Sequence, residues 1–267
     1  MYLVFLFYLG SISAVKQLRI LGGGNAGDNE IDYVLKMGVK EVFEDKIDDI
    51  LDVNYFCACS VLTKSWCLTA AHCVTYMRQV KDYLPHEGTG SIAVGVLTHG
   101  KQNISINIVR CIIHPTYHLS SHRNDIGLVN SDPIYVSAEA RLSSVDFGSL
   151  TGHQVEVVGY GYANFSFGNG YLLGEPEVLQ SLKTVVVRCP RESVRFVAMC
   201  LARMCGTHGT TCPGDSGGPV VHPSGVVGIM SMGFEPDCFL QDHQRSHSVG
   251  IITPVTPFID WIFSNIQ

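Results

Sequence analysis

The feature that most restricts the fold of this chain is a series of short apolar segments separated by turn residues. The segments are rich in Val, Ile and Tyr, and several alternate apolar with polar residues, as Q-V-E-V does at 154–157. They cover residues 55–62, 91–98, 104–113, 154–162, 182–188 and 225–233. Many short strands with glycine-containing turns are typical of an all-β sandwich or barrel. The 267 residues, 46% of them hydrophobic, are enough to bury a sizeable core.

One helix is predicted, near the C-terminal end of the chain. Thr256 is a suitable N-cap, and Pro257 suits the first helical position. Apolar residues then recur at helical spacing, at Phe258, Ile259, Ile262, Phe263 and Ile266. We expect this apolar face to pack against the β-structure.

Charge and cysteine content narrow the class of protein. Lys and Arg number 18 and Asp and Glu 24, and the resulting net charge of −6 argues against nucleic-acid binding, which needs a basic face. Ten cysteines are typical of an oxidising compartment. The only long apolar run lies at the N-terminus, so no internal membrane-spanning helix is expected.

The N-terminal residues are predicted to direct export and processing. Residues 2–9 are apolar but too short to span a bilayer, and small residues follow, so residues 1–14 are interpreted as a secretory signal peptide. A buried N-terminal strand is the alternative. Residues 15–19 then end in Arg19, followed by I-L-G-G at 20–23, which suggests a processing site for a tryptic enzyme.

Three motifs contain the residues for nucleophilic catalysis. They are L-T-A-A-H-C at 68–73, N-D-I-G-L-V at 124–129 and C-P-G-D-S-G-G-P at 212–219. A serine hydroxyl is a poor nucleophile unless a base takes its proton; an imidazole can do so near neutral pH, and a carboxylate can hold the imidazole in the required tautomer. The chain order His, Asp, Ser matches the chymotrypsin-type arrangement.

With these motifs, residues 20–267 resemble a secreted serine protease of the trypsin/chymotrypsin family. The resemblance implies two packed six-stranded antiparallel β-barrels with a C-terminal helix, and an active site between the barrels. It also implies that Ser216 is the nucleophile, His72 the general base and Asp125 the residue that orients His72. The backbone N–H groups of Gly214 and Ser216 would form the oxyanion hole.

The same resemblance gives the processing site a role. In the family, the new N-terminus inserts beside the acidic residue that precedes the catalytic serine. Here Ile20, released by cleavage after Arg19, would pair with Asp215. A buried ammonium–carboxylate pair is costly unless well bonded, so it can act as a switch. The chain is therefore expected to be a zymogen.

The substrate pocket is also assigned by resemblance. The residue six positions before the nucleophile, Thr210, would form its base, and Ser231, Gly233 and Gly250 would contribute to its walls. An Asp at the base would select Arg or Lys, whereas Thr does not. We expect cleavage after Phe, Tyr, Leu or Met.

Cysteine pairing is likewise implied by the family. Cys57 would pair with Cys73 and Cys212 with Cys238, while Cys189 would pair with Cys200 or Cys205. Cys59 and Cys67 lie on one predicted hairpin and are able to bridge. Two glycosylation sequons begin at Asn103 and Asn164.

Histidines recur every fourth residue before Asp125, at His114, His118 and His122. His122 is expected to wall a substrate pocket. The favoured interpretation is a set of polar loop residues without a metal. The alternative is a zinc site that inhibits by drawing on His72 or its surroundings.

The sequence thus predicts a secreted serine endopeptidase that needs no cofactor. Its partners would be protein or peptide substrates, an activating tryptic protease and protein inhibitors, with no nucleic acid and no membrane after signal removal. The alternative is a catalytically silent relative that acts as a binding or regulatory protein. A lipase or esterase is disfavoured because G-D-S-G-G is not the G-x-S-x-G elbow and the triad order differs.

Overall fold

The structure is a computed structural model that describes residues 23–26, 31–43, 53–83, 91–99, 105–161, 179–190, 194, 196–207, 209–233 and 248–266. The predicted signal peptide, residues 1–14, and the predicted activation segment, residues 15–19, lie outside these residues. So do Ile20, Cys238 and the two sequon asparagines, Asn103 and Asn164.

The described residues form thirteen strands and two α-helices. The strands are β1 (Gly24–Asn25), β2 (Val34–Phe43), β3 (Asn54–Thr63), β4 (Trp66–Thr69), β5 (Ser91–Thr98), β6 (Ser105–Ile113), β7 (Gly127–Ser131), β8 (Gln154–Gly159), β9 (Gln180–Val187), β10 (Met199–Arg203), β11 (Pro219–His222), β12 (Gly225–Gly233) and β13 (Ser248–Pro254). The helices are α1 (Ala71–Tyr83) and α2 (Ile259–Asn265).

Two closed antiparallel barrels account for all strands except β1. The first has the order β2-β3-β4-β7-β6-β5 and closes where β2 pairs with β5. The second has the order β9-β10-β13-β12-β11-β8 and closes where β8 pairs with β9. Strand β1 adds to the second sheet beside β9. The predicted fold of two six-stranded barrels is therefore confirmed.

Alternation along the strands explains how each barrel fills its interior. In β8 (Gln154–Gly159), Val155 and Val157 are buried, whereas Gln154 is exposed and Glu156 is half-buried. Side chains two apart share one face of a strand, so one apolar row enters the core. A large buried cluster includes Leu35, and a second, smaller cluster in the second barrel includes Leu150.

The C-terminal helix is present but begins differently from the prediction. A 3₁₀ turn at Thr256–Phe258 precedes α2, with the proline in its first turn. The Thr256 hydroxyl donates to the Val145 carbonyl at 2.8 Å, so Thr256 is tied to a loop and the predicted N-cap is wrong. Phe263 is 53% exposed, so the apolar face is narrower than its sequence pattern suggests.

Helix α1 was not predicted, since the only helix expected from the sequence was the C-terminal one. Its 13 residues follow directly after β4 and pack mainly against β5 and neighbouring strands of the first barrel. Neither helix in the described part of the chain combines the length and apolarity that a membrane crossing requires.

Two complete disulfides lie within the described residues. Cys57 joins Cys73 across a Cα–Cα distance of 6.1 Å, and Cys189 joins Cys200 across 5.1 Å. Cys212 is also disulfide-bonded.

The remaining described cysteines, Cys59, Cys67, Cys111 and Cys205, are free thiols. The bridge considered between Cys59 and Cys67 is therefore absent. Burial raises the pKa of the Cys67 thiol well above its usual range, and a hydrogen bond with Cys59 adds to that rise.

Candidate active site

The first barrel places His72 at the start of α1. Strand β4 ends at Thr69, and the helix begins at Ala71, so the His72 side chain projects from a rigid strand-to-helix corner. The disulfide between Cys57 and Cys73 joins this corner to β3. His72 is therefore held from both sides, by helix formation and by a covalent link to the neighbouring strand.

Asp125 lies just before β7 and bonds to both the backbone and the ring of His72. Its Oδ1 atom accepts the His72 backbone N–H at 2.8 Å, and its Oδ2 atom lies 2.7 Å from His72 Nδ1. The Ser231 hydroxyl, on β12 of the second barrel, donates to the same Oδ2 atom at 2.6 Å. The Asp125 side chain is fully buried. This network fixes the imidazole orientation and joins the two barrels.

The environment of Asp125 favours its charged form. Burial alone would raise the pKa of this carboxyl, but the contacts with His122, His72 and Ser231 outweigh burial and hold that pKa well below its usual range. Asp125 is thus a carboxylate at neutral pH. A carboxylate beside Nδ1 keeps the proton on that atom and leaves the His72 Nε2 atom able to accept one.

Ser216 lies in the turn between β10 and β11, and this turn requires glycines. Gly214 and Gly217 have φ values of 98° and 79°, in the left-handed region that favours glycine. A Cβ at Gly217 would also overlap the Ala58 carbonyl of the first barrel. The Ala58 N–H donates to the Ser216 carbonyl at 2.8 Å, so the turn is fastened across the barrel interface.

The same turn presents two backbone donors that are not otherwise engaged. Among the described residues, the N–H groups of Gly214 and Ser216 donate no hydrogen bond, whereas those of Asp215, Gly217 and Gly218 each do. Neighbouring free donors in a tight turn are suited to stabilise an oxygen that gains negative charge.

His72, Gly214 and Ser216 line one cavity of about 600 Å³. No hydrogen bond joins the described side chains of His72 and Ser216, and His72 Nε2 instead lies 3.7 Å from the Cys73 sulfur. Triad hydrogen bonds are often long without substrate and tighten in the reactive complex. The cavity therefore brings the His72 and Ser216 side chains together without a hydrogen bond between them.

Of the four residues predicted for the substrate pocket, Gly233 lines the cavity and the other three do not. Thr211 and Met232, which were not predicted, also line it. Thr210 is fully buried and does not line the cavity, and within the described part of the chain its hydroxyl has no hydrogen-bond partner. The Ser231 side chain points to Asp125 and not to the cavity.

Gly250 lies beside the pocket wall and not on the cavity surface. A Cβ there would approach the Met230 side chain at 2.8 Å and the Thr211 hydroxyl at 3.3 Å. The Thr211 hydroxyl donates to the Val249 carbonyl at 2.7 Å. Thr211 therefore occupies the space that the two glycines leave between β12 and β13, and its signal in the sequence was its position next to Thr210.

Aromatic residues form the opposite side of the cavity. Tyr55, Phe56 and Tyr76 line it, and the rings of Phe56 and Tyr76 meet edge to face with centroids 4.9 Å apart. Tyr76 comes from α1, so this wall was not predictable while that helix was missed.

Asp215 is buried behind the serine turn. Its carboxylate accepts the Gly161 N–H at 2.7 Å and the Cys212 N–H at 2.9 Å. Burial raises the pKa of this carboxyl to about 6, although both hydrogen bonds lower it. A Cβ at Gly159 or Gly161 would overlap the carboxylate, so only glycine leaves room for it there.

The three loop histidines have different environments. His114 packs edge to face against Phe258 and Trp261, and His118 lies beside the hydroxyls of Ser120 and Ser121. His122 instead lies next to the network described above, with Nδ1 3.5 Å from Asp125 Oδ2 and its ring 5.3 Å from that of His72. The three histidines therefore do not form one site, and of the three only His122 reaches His72 and Asp125.

The family model and the similar known proteins indicate the same family. The family model described as Trypsin matches residues 20–262. The chain is similar to an anionic trypsin of Canis lupus familiaris, 28% identical over 255 residues that cover 93% of this chain and 90% of that protein. It is also similar to trypsin eta of Drosophila erecta, 26% identical over 275 residues that cover 99% and 96% of the two chains.

The matched region includes all three motifs and both barrels. A trypsin of Sus scrofa shows the same degree of similarity, 26% identity over 256 residues that cover 93% of this chain and 96% of that protein. With the family model spanning most of its length, the chain belongs to the trypsin/chymotrypsin family of serine proteases.

Proposed function

We propose that the protein is a secreted serine endopeptidase that is made as a zymogen and cleaves after large apolar residues. The observation that carries this proposal is the meeting of His72, Ser216 and two free backbone donors at one cavity, with Asp125 buried behind them.

The proposed reaction follows from which atoms hold protons. His72 Nδ1–H is bonded to Asp125, so Nε2 accepts the proton from the Ser216 hydroxyl as its oxygen attacks the substrate carbonyl. The carbonyl oxygen becomes negative and is stabilised by the N–H groups of Gly214 and Ser216. His72 then protonates the leaving amine, and water releases the acyl group by the same steps in reverse order.

Preference for an apolar side chain is supported by the neutral pocket. Thr211, Met232 and Gly233 line it, and His72 is the only ionisable side chain among the described lining residues apart from the tyrosine hydroxyls and the disulfide-bonded cysteines. A cationic side chain placed there would lose hydration without gaining a carboxylate partner. Apolar surface gains about 25 cal/mol per Å² on burial.

Activation by cleavage after Arg19 is supported by the environment of Asp215. A fully buried carboxylate that is held only by backbone N–H groups among the described residues lacks a compensating cation. The ammonium group of a new Ile20 terminus is suited to supply it. Secretion is supported by the apolar N-terminal segment and by the disulfides, which persist in oxidising compartments.

The deciding experiment is labelling with a fluorophosphonate serine probe before and after limited trypsin treatment, with mass spectrometry of the new N-terminus. We expect Ser216 to be labelled only after Ile20 appears. Ser216→Ala should abolish labelling, and Arg19→Gln should remain unlabelled after trypsin. Activated protein that has not been exposed to the probe, and from which trypsin has been removed, is then assayed with peptides that differ only in Phe or Arg before the scissile bond.

Each failure has its own meaning. Preference for the Arg peptide would contradict the apolar pocket but not the catalysis. Absence of labelling despite a correct Ile20 terminus would favour a catalytically silent binding protein, in which the missing contact between His72 and Ser216 is permanent.

A further inference from the structure

His122 has a buried ring nitrogen that the catalytic arrangement does not use. Its Nδ1 atom is inaccessible to solvent and has no hydrogen-bond partner among the described residues, although it lies 3.5 Å from Asp125 Oδ2. The His122 backbone has φ of 53°, a conformation uncommon for a non-glycine residue. A buried polar atom without a hydrogen bond is unfavourable, so its position beside a carboxylate requires an explanation.

His72, His122 and Asp125 together have the chemistry and spacing of a metal site. One ligand atom from each residue lies within 4.8 Å of the other two. Two imidazoles and a carboxylate are ligands that zinc accepts, at about 2.0–2.2 Å. Two ligands of a tetrahedral zinc ion are then about 3.3 Å apart, close to the 3.5 Å between His122 Nδ1 and Asp125 Oδ2.

We propose that these three residues bind a divalent transition-metal ion, zinc being the one tested, and that the bound ion inactivates the catalytic centre. The proposal rests on the proposed protease function for its consequence, but not for the binding itself. His122 Nδ1 and Asp125 Oδ2 form the existing half of the site. His72 completes it when the 2.7 Å contact between its Nδ1 and Asp125 opens to admit the ion.

The inhibition follows from the placement of one proton. In the resting site, His72 Nδ1 bears a proton and Nε2 has a free electron pair. When Nδ1 donates its electron pair to the metal, the Nδ1 proton is lost to solvent. Nε2 of the neutral ring takes up one proton from solvent, so the number of protons on the ring is unchanged. Nε2 then has no electron pair for the Ser216 proton, and the general base is lost.

The other loop histidines do not contribute to this site. His118 is exposed and contacts serines of its own turn, and His114 packs against the C-terminal helix. This difference supplies a matched control, because His118→Asn alters the same loop without touching Asp125.

The test measures metal binding separately from activity. Zinc titrations by calorimetry use the full chain with Ser216→Ala, which cannot digest itself, and then the same protein with His122→Asn or His118→Asn. Asn tolerates the left-handed backbone at position 122. We expect one zinc ion per chain, with affinity lowered ~10-fold or more by His122→Asn and unchanged by His118→Asn. His122→Ala and circular dichroism check that weakened binding is not unfolding.

A parallel assay follows labelling of Ser216 by the fluorophosphonate probe in the activated protein with and without zinc. We expect zinc to slow labelling, a chelator to restore it, and His122→Asn to remove the zinc effect relative to its own rate without zinc. Absence of zinc binding, or equal binding by the folded His122→Asn protein, would overturn the proposal. If zinc binds through His122 but the probe never labels Ser216, the metal site is supported and the protease function is refuted instead.

Discussion

The Arg19→Gln variant cannot be cleaved after residue 19. Replacing Asp215 with Asn in this variant isolates the free-energy cost of burying one carboxylate. The pKa of Asp215 is raised from its ordinary value of 3.8 to about 6 by burial. Each step of one in pKa is worth about 1.4 kcal/mol, so ionising this group in the folded chain costs about 3 kcal/mol relative to the unfolded chain. Asn carries no such cost.

The sign of the pH dependence follows directly. Between about pH 4 and pH 6 the folded chain holds the Asp215 proton more tightly than the unfolded chain does, so stability falls as pH rises through this window and is level above it. The Asn variant lacks this fall. Contributions of all other groups cancel when the two proteins are compared at each pH.

The assay is urea denaturation of the two proteins at a series of pH values from about 4 to 7. We expect the difference in unfolding free energy to change by about 3 kcal/mol in favour of Asn across this range. Wild-type protein cleaved after Arg19 should lose most of that dependence, because the Ile20 ammonium offsets the buried charge. Parallel curves for the two uncleavable proteins would refute the reasoning.

Three further predictions concern single side chains. Ser231→Ala removes the 2.6 Å hydrogen bond to ionised Asp125 and should cost about 1.5–3 kcal/mol at neutral pH in denaturation experiments. Because the pKa of Asp125 is held well below its usual range, this loss should persist down to about pH 4 and shrink only at lower pH, and a loss that already shrinks between about pH 7 and pH 5 would contradict it. Gly161→Ala places a methyl group against the buried carboxylate and should lower stability by about 1–3 kcal/mol, which an unchanged melting temperature would exclude. Native protein should react with iodoacetamide at exposed Cys205 and not at buried Cys67, whose pKa is raised; mass spectrometry that finds both alkylated would contradict this.

Much of the site was predictable because its candidate reactive residues lie in short contiguous motifs. The motifs around His72, Asp125 and Ser216 each contain the reactive residue together with the small residues that its turn requires, such as Gly217. Helix α1 was missed, although its apolar residues Val74, Met77 and Val80 recur at helical spacing and pack into the core. The walls that α1 contributes were missed with it.

Residues that act across the barrel interface could not be assigned from the sequence. Ser231 was expected in the pocket wall, yet its hydroxyl is bonded to Asp125, 106 residues away in the chain. His122 was expected to be a polar loop residue that walls a substrate pocket, yet it does not line the described cavity, and its Nδ1 atom is buried beside the same carboxylate. The bond of Ser231 depends on where β12 passes, and local sequence does not contain that information. The contact of His122 lies within one loop, three residues from Asp125, and depends on the conformation of that loop.

The sequence by itself determined the strand-rich class, the candidate reactive residues and the glycines beside them, because alternation, turn chemistry and motif spacing are local properties. Only the tertiary structure decided which atoms meet. Closing two barrels against each other buries Asp125 and Asp215 and directs distant hydroxyls, N–H groups and imidazoles toward them. Burial and distance set the ionisation of these carboxylates, and both arise only when segments far apart in the chain pack together.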